Sequence, residues 1–184
     1  MEKYQLKNGN YIEVIQDNNP INPREEFDCN LTKMVCFHSK YSLGDKHEYK
    51  SGDYGSWAEI KKAIEKDNDI AIIKGLWLFD HSGITIATEP FSCKWDSGQV
   101  GYVFITKQAA REMLSVKNIT AKIREELINH LDGEVEIYNQ YLTGDVYGFK
   151  EYDKDGEEID SCYGFFGSNP KENGMCVHLS SEIV

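Results

Sequence analysis

The 184-residue sequence predicts an α+β fold, mostly antiparallel, with one long helix packed on a sheet and two shorter helices. Short β-prone runs separated by Gly, Asn and Asp turn signals recur between Tyr11 and Ile105. Ile123, Leu127, Leu131, Val135, Tyr138 and Leu142 recur at intervals of 4, 4, 4, 3 and 4, one apolar stripe on a helix of about 120–142. Tyr147-Gly-Phe149 and Tyr163-Gly-Phe165 flank a turn sequence, Tyr-Asp-Lys-Asp-Gly-Glu, and read as the two strands of one hairpin.

Taken in order, Asn8-Gly9 is a turn opening a strand at Tyr11–Ile15. DNNPINPREEFDCN follows as an irregular segment, because its prolines and Asn/Asp residues favour turns over ladders. Met34–Phe37 is a short strand, and His38–Gly55 a polar, tyrosine-rich surface loop. Ser56 and Glu59 form a capping box for a helix ending near Lys66, with Trp57, Ile60 and Ile64 on one face. Ile70–Ile73 and Leu76–Phe79 read as two core strands, and Asp80-His-Ser-Gly turns the chain into a strand at Ile84–Ala87. Gln99–Ile105 is strongly β-prone, Thr106 caps a helix over Lys107–Leu114, and Thr120 caps the long one. In the hairpin, period-two alternation puts the four aromatics on one face and Gly148 and Gly164 on the other. That glycine face leaves room for the long helix through Leu131, Val135 and Tyr138. The tail after Gly167 carries no clear signal. The chain reads as a single domain over 1–184, with a charge shift leaving a two-lobed division near 115 open.

Composition narrows the function classes. There are 31 Asp+Glu against 20 Lys+Arg, for a formal charge of −11. The excess concentrates in Lys122–Asp160, where twelve acids face four bases, a net of −8. On the long helix these are Glu125, Glu126, Asp132, Glu134 and Glu136; on the hairpin, Asp153, Asp155, Glu157 and Glu158 lead. Such a field repels nucleic acid and anionic membrane and attracts basic surfaces. A basic protein partner therefore fits better than direct nucleic-acid binding, with these acids and Trp95 as candidate contacts; solubility alone is the simpler account of the same charge. No apolar run approaches the roughly 20 residues of a membrane span, and the amino terminus lacks a signal-peptide pattern, so the chain is expected in a cytoplasm. Five cysteines without CxxC spacing are expected as reduced thiols.

The densest group of reactive residues lies in Leu76–Gly101. Cys93, His81 and Asp96 could supply the nucleophile, base and orienting acid of a thiol hydrolase or transferase. Against this, no helix amino terminus follows Cys93, and Asp80-His-Ser-Gly is explained as a tight hairpin bonded to its own backbone. His38, His47, Asp45 and Glu48 have ligand-like chemistry without a fixed spacing, and Asp153–Asp160 fails the calcium-loop pattern because its glycine comes too early. No phosphate-cradling glycine motif occurs, so neither a metal nor a cofactor is expected.

The block PFSCKWDSGQVGYVFIT resembles part of a family of small acidic proteins carried by phages and integrated elements of Firmicutes. Met34-Val-Cys-Phe-His, Leu43-Gly-Asp45, Leu78–Ile86, Tyr141–Gly148 and Asp160–Gly167 resemble the same family, so the likeness spans roughly Asn18–Gly167. It implies a counter-defence role in a host cytoplasm, as anti-restriction DNA mimics and anti-CRISPR inhibitors have, and supplies no catalytic residues. The resulting expectation is a non-enzymatic acidic inhibitor of a basic, nucleic-acid-handling host protein, such as a guide-RNA-loaded nuclease or a restriction complex. Two alternatives remain beside it: a thiol enzyme centred on Cys93 and His81, and a self-assembling regulatory protein whose homodimer buries surplus aromatics.

Overall fold

A computed structural model describes residues 2–184. In chain order its elements are β1 (Glu2–Gln5), β2 (Tyr11–Gln16), α1 (Pro23–Glu26), β3 (Lys33–Cys36), α2 (Trp57–Asp67), β4 (Ile70–Asp80), β5 (Ile84–Ala87), β6 (Ser97–Thr106), α3 (Lys107–Leu114), α4 (Ala121–Thr143), β7 (Val146–Tyr152) and β8 (Glu158–Phe166). The class is α+β with antiparallel pairing throughout, and α4, α2 and α3 are the expected long and shorter helices. The chain forms two compact units, one from the chain up to Asn22 with Gln140–Val184, the other from Pro23–Asn139. Neither boundary lies near 115, where Ser115 is the left-handed cap of α3.

In the 23–139 unit the sheet order is β3-β6-β4-β5. The two strands expected at 70–73 and 76–79 are one, because Gly75 continues the ladder opposite Tyr102 and only a bulge at Leu76/Trp77 interrupts it. Gly101 permits the close approach of β3, since a Cβ there would lie 2.0 Å from the Val35 carbonyl oxygen. One face, with Val35, Tyr102 and Phe104, packs against Ile60 and Ile64 of α2. The pleat sends Met34, Lys74 and Val103 to the opposite face. That side carries α4: Lys74 Nζ lies 2.8 Å from both oxygens of Asp132, and Arg124 donates to the Ala71 carbonyl at 2.7 Å. Both edges of this sheet are closed by side chains. The Asp45 carboxylate accepts from Met34 N at 2.7 Å on β3, and Asn139 Oδ1 accepts from Ile86 N at 3.0 Å on β5. The helical turn α1 sits in the stretch expected to be irregular, where it places Arg24 in the interior.

In the other unit the order is β1-β2-β7-β8. β1, a strand without a local sequence signal, pairs with β2 across the Asn8-Gly9 turn. Ile12, Val14, Phe149 and Phe165 form a core with Leu6 and Met175, and the tail covers it through Leu179 and Ile183. The unassigned tail is thus the second layer of this unit, and it also closes the β1 edge, with Val184 N donating to the Gln5 carbonyl at 2.9 Å.

The β7–β8 hairpin forms as expected, but its faces do not. Gly164, at φ +90°, is an extra residue in β8, so Tyr147 pairs with Phe165 while Gly148 pairs with Tyr163. The bulge reverses the alternation and moves Tyr163 to the face opposite Phe165. What Gly148 accommodates is therefore the Tyr163 ring: a Cβ at 148 would lie 2.3 Å from Tyr163 Cδ1. Leu131, Val135 and Tyr138, expected there, are buried residues of α4 in the 23–139 unit, where the Tyr138 hydroxyl accepts from Gly44 N at 2.9 Å.

Candidate functional site

The acids expected to form one docking face on α4 divide by function. Glu125, Glu126 and Glu136 are exposed. Asp132 is held by Lys74 and by the Thr88 hydroxyl at 3.0 Å. Glu134 is an internal hub: it accepts from Leu31 N at 2.6 Å, Thr32 N at 3.1 Å and Arg24 Nη1 at 3.1 Å, with His130 Nε2 at 3.2 Å. Arg24 also grips Asp45 in a two-pronged bond, Nε to Oδ1 at 3.0 Å and Nη2 to Oδ2 at 2.6 Å, and donates from Nη2 to the Thr32 carbonyl at 2.8 Å. With Arg24 2% exposed and Glu134 11% exposed at their side chains, these groups hold the 24–45 segment to α4 and are removed from any docking surface. Glu134 is thus an interior group, whereas Asp132, paired with Lys74, keeps a side chain that is 40% exposed. The sequence could not have shown it, because apart from His130 the partners of Glu134 lie 102–110 residues away.

The hairpin tip keeps its acids outward. Asp153 builds the turn, its Oδ1 accepting from Asp155 N and Glu157 N at 2.9 Å each, and Glu158 pairs with Lys150 at 2.8 Å. Asp155, Glu157, Glu158 and Asp160 are exposed, and Ile159 stands among them 51% exposed, an apolar side chain in an acidic setting. Further along β8, Tyr163 is 46% exposed. Sequence reading missed Ile159 and Tyr163 as surface groups; the outward run at 158–161 becomes visible only once β8 is known to be an edge strand. Next to the turn, paired with Asp160, Glu151 is buried and accepts from the Asn10 amide at 2.9 Å and Ser180 N at 3.1 Å. Burial pushes its pKa up, but the bonds from the Ser180 hydroxyl, Asn10 and Ser180 N together outweigh that and hold it below the usual glutamate value.

Cys93, His81 and Asp96 do meet. Asp96 lies between the other two, with its Oδ2 3.3 Å from His81 Nδ1 and 3.8 Å from the Cys93 thiol. This is the wrong order for a thiol nucleophile, because the group touching sulfur is a carboxylate and the imidazole sits behind it. Carboxylates and thiols differ in ordinary pKa by about 4–5 units, so aspartate is a poor base for the job. The surrounding bonds are those of a loop: Asp80 N donates to the Asp96 carbonyl at 2.8 Å, His81 N to the Gly83 carbonyl at 3.1 Å, and Ser97 Oγ to the Cys93 carbonyl. From this fixed loop Trp95 projects 96% exposed. Beside it is a groove of about 380 Å³ lined by Phe37, Leu78, Asp80, Asp96 and Gln99.

A larger cavity of about 920 Å³ lies under the 36–57 loop, lined by Phe37, Tyr41, His47, Tyr49, Tyr54 and Trp57. The residues with ligand-like chemistry there serve the loop itself. His38 Nδ1 accepts from Lys40 N and Tyr41 N at 3.2 Å, His47 Nε2 donates to the Cys36 carbonyl at 2.9 Å, and Asp45 belongs to Arg24. Burial, with a smaller contribution from Asp45, pushes the Cys36 thiol up to about 12, which makes it inert. No family profile matches the chain, and no curated protein or solved structure does.

Proposed function

We propose that the protein is a non-enzymatic acidic inhibitor that docks on a basic, nucleic-acid-handling defence protein of the host, such as a CRISPR nuclease or a restriction complex. The observation that supports this reading is the hairpin tip, where Asp155, Glu157, Glu158 and Asp160 are exposed together with Ile159. Acids steer a basic surface into place and raise the on-rate, while a buried apolar anchor supplies residence time. An open β8 edge carrying Glu158 and Asp160 is poorly suited to pairing with its own copy, since like charges would face each other. The partner is blocked by occupation of its nucleic-acid channel.

The test is capture of a host partner on the immobilised full chain at low and high salt, with the parent and with D155N/E157Q/E158Q/D160N. The parent retains a basic partner at low salt, releases it at high salt and inhibits its nuclease activity, and the neutralised hairpin does neither. Equal capture and inhibition by the two proteins would overturn the reading.

The thiol-enzyme alternative centred on Cys93 and His81, against which the intervening Asp96 argues, has a direct test. It requires that Cys93 be alkylated by iodoacetamide far faster than the exposed Cys29. A Cys93 rate at or below that of Cys29 removes it.

A further inference from the structure

The groove beside Trp95 is lined by residues of the 23–139 unit, and the hairpin is part of the other. The Trp95 side chain is almost fully exposed, although the loop beneath it is fixed by the Asp80–Asp96 backbone bond and the Ser97 bond to Cys93. A large aromatic held out on a fixed loop offers its ring face and its indole N–H to a ligand. Asp80 and Asp96 line the same groove. Each carboxylate has one neighbouring side chain that water and a competitor can displace, a lysine at Asp80 and an imidazole at Asp96. Lys40 Nζ is 3.9 Å from Asp80, beyond hydrogen-bond distance, and the His81 side chain, 3.3 Å from Asp96, is 66% exposed.

We propose that this groove receives an arginine side chain of a basic protein partner, its guanidinium stacked on the Trp95 indole and its N–H groups donating to Asp80 and Asp96. Arginine fits where lysine fits less well. Its planar cation covers an indole face while its forked donors reach two acceptors, and a compact ammonium does only one of these at a time. Phosphate-bearing ligands are disfavoured because two carboxylates line the groove. The inference rests on the reading that the partner is basic, and it adds a second, arginine-specific contact to the hairpin.

The probe is N-acetyl-arginine amide titrated into the full chain with 15N-labelled tryptophan. Trp57, Trp77 and Trp95 give three indole N–H signals, two of them internal controls. The Trp95 signal is expected to move saturably with the arginine probe and not with the uncharged citrulline analogue, while Trp57 and Trp77 stay in place. In D80N/D96N the apparent affinity drops about tenfold, as two hydrogen bonds lose their charge assistance, and unmoved Trp57 and Trp77 signals report an intact fold. An unmoved Trp95 signal, equal response to citrulline, or no effect of D80N/D96N overturns the proposal. So does a Trp95 shift produced by oligo-dT, which assigns the groove to bases, or by raising protein concentration alone, which assigns it to a second copy. The hairpin reading is scored separately. A silent groove with hairpin-dependent capture overturns only the groove. A saturable arginine shift with hairpin-independent capture keeps the groove and overturns the hairpin.

Discussion

Glu134→Ala separates structural acids from docking acids most sharply. The carboxylate is the acceptor for Leu31 N, Thr32 N and Arg24 Nη1, and its removal takes the acceptor from two backbone donors and the ionic partner from Arg24 Nη1, which still reaches Thr32 Oγ1 at 3.3 Å. Removing one partner of a buried ion pair costs about 3–5 kcal/mol, and an unsatisfied buried donor costs about 1–3 kcal/mol. These losses overlap, because Arg24 keeps its two bonds to Asp45 and a water can enter near a side chain that is 11% exposed. A net loss of about 4 kcal/mol is therefore expected, which for a chain of this length lowers the Tm by roughly 8–16 °C at 2–4 °C per kcal/mol. Glu125→Ala, Glu126→Ala and Glu136→Ala, which remove exposed carboxylates of the same helix, should each stay within about 0.5 kcal/mol of the parent. The assay is a thermal melt by circular dichroism, with urea titration to check that the slope is unchanged. An E134A protein melting within about 2 °C of the parent would refute the hub assignment, on the same scale. A hub of this kind also means that charge reversal at Glu134 reports on folding rather than on partner binding.

Further outcomes follow from the other unit and from the thiols. Gly148→Val should lower stability by about 1–3 kcal/mol, because its Cβ would meet Tyr163 Cδ1 at 2.3 Å and the immovable Cys162 carbonyl oxygen at 2.7 Å; an unchanged melt refutes this. Glu151 has a folded pKa depressed below the model-compound 4.5, so its contribution is present above that pH and is lost as pH falls through the folded value. The stability gap between the parent and E151Q, measured by urea titration, should close on acidification below about 4.5, and a gap that widens instead contradicts the sign. Native-state alkylation should leave Cys36 unlabelled while Cys29 reacts, and labelling of Cys36 before global unfolding would count against its burial.

Local signals were legible in the sequence wherever the physics is local. Ser56 and Thr106 cap their helices as expected, accepting from Glu59 N and Ala109 N, and Thr120 accepts from Ile123 N. The Glu59 carboxylate reaches Gly55 N rather than Ser56 N, a one-residue displacement of the capping box. The α4 stripe at 4- and 3-residue spacing buries Leu127, Leu131, Val135 and Tyr138. Legibility failed where one residue changes register or where partners are distant. Nothing in Tyr-Gly-Phe distinguishes Gly148, flat in its strand, from Gly164, the left-handed extra residue that turns Tyr163 over. At the candidate sites, the proximity of Cys93, His81 and Asp96 could be anticipated because they flank one β-turn-β unit. The order in which they touch could not, nor could the outward placement of Trp95.

The same distinction changes what the net charge means. Of the twelve acids between Lys122 and Asp160, Asp132, Glu134 and Glu151 are bound to groups of their own unit, Asp153 shapes a turn and Glu158 carries a lysine. Fields from exposed charges fade over about 8 Å at physiological ionic strength, so steering depends on which acids are free and adjacent rather than on the formal total. On α4 the free acids are interrupted by Lys122 and Arg124, which oppose Glu125 and Glu126 within the same turn. At the hairpin tip only Lys154 opposes Asp155, Glu157 and Asp160, and Ile159 lies among them. A salt-dependent association should therefore lose most of its ionic-strength sensitivity on neutralising the tip and little on neutralising Glu125, Glu126 and Glu136. The opposite ranking, measured as the slope of affinity against salt for the same captured partner, would move the docking surface to the helix.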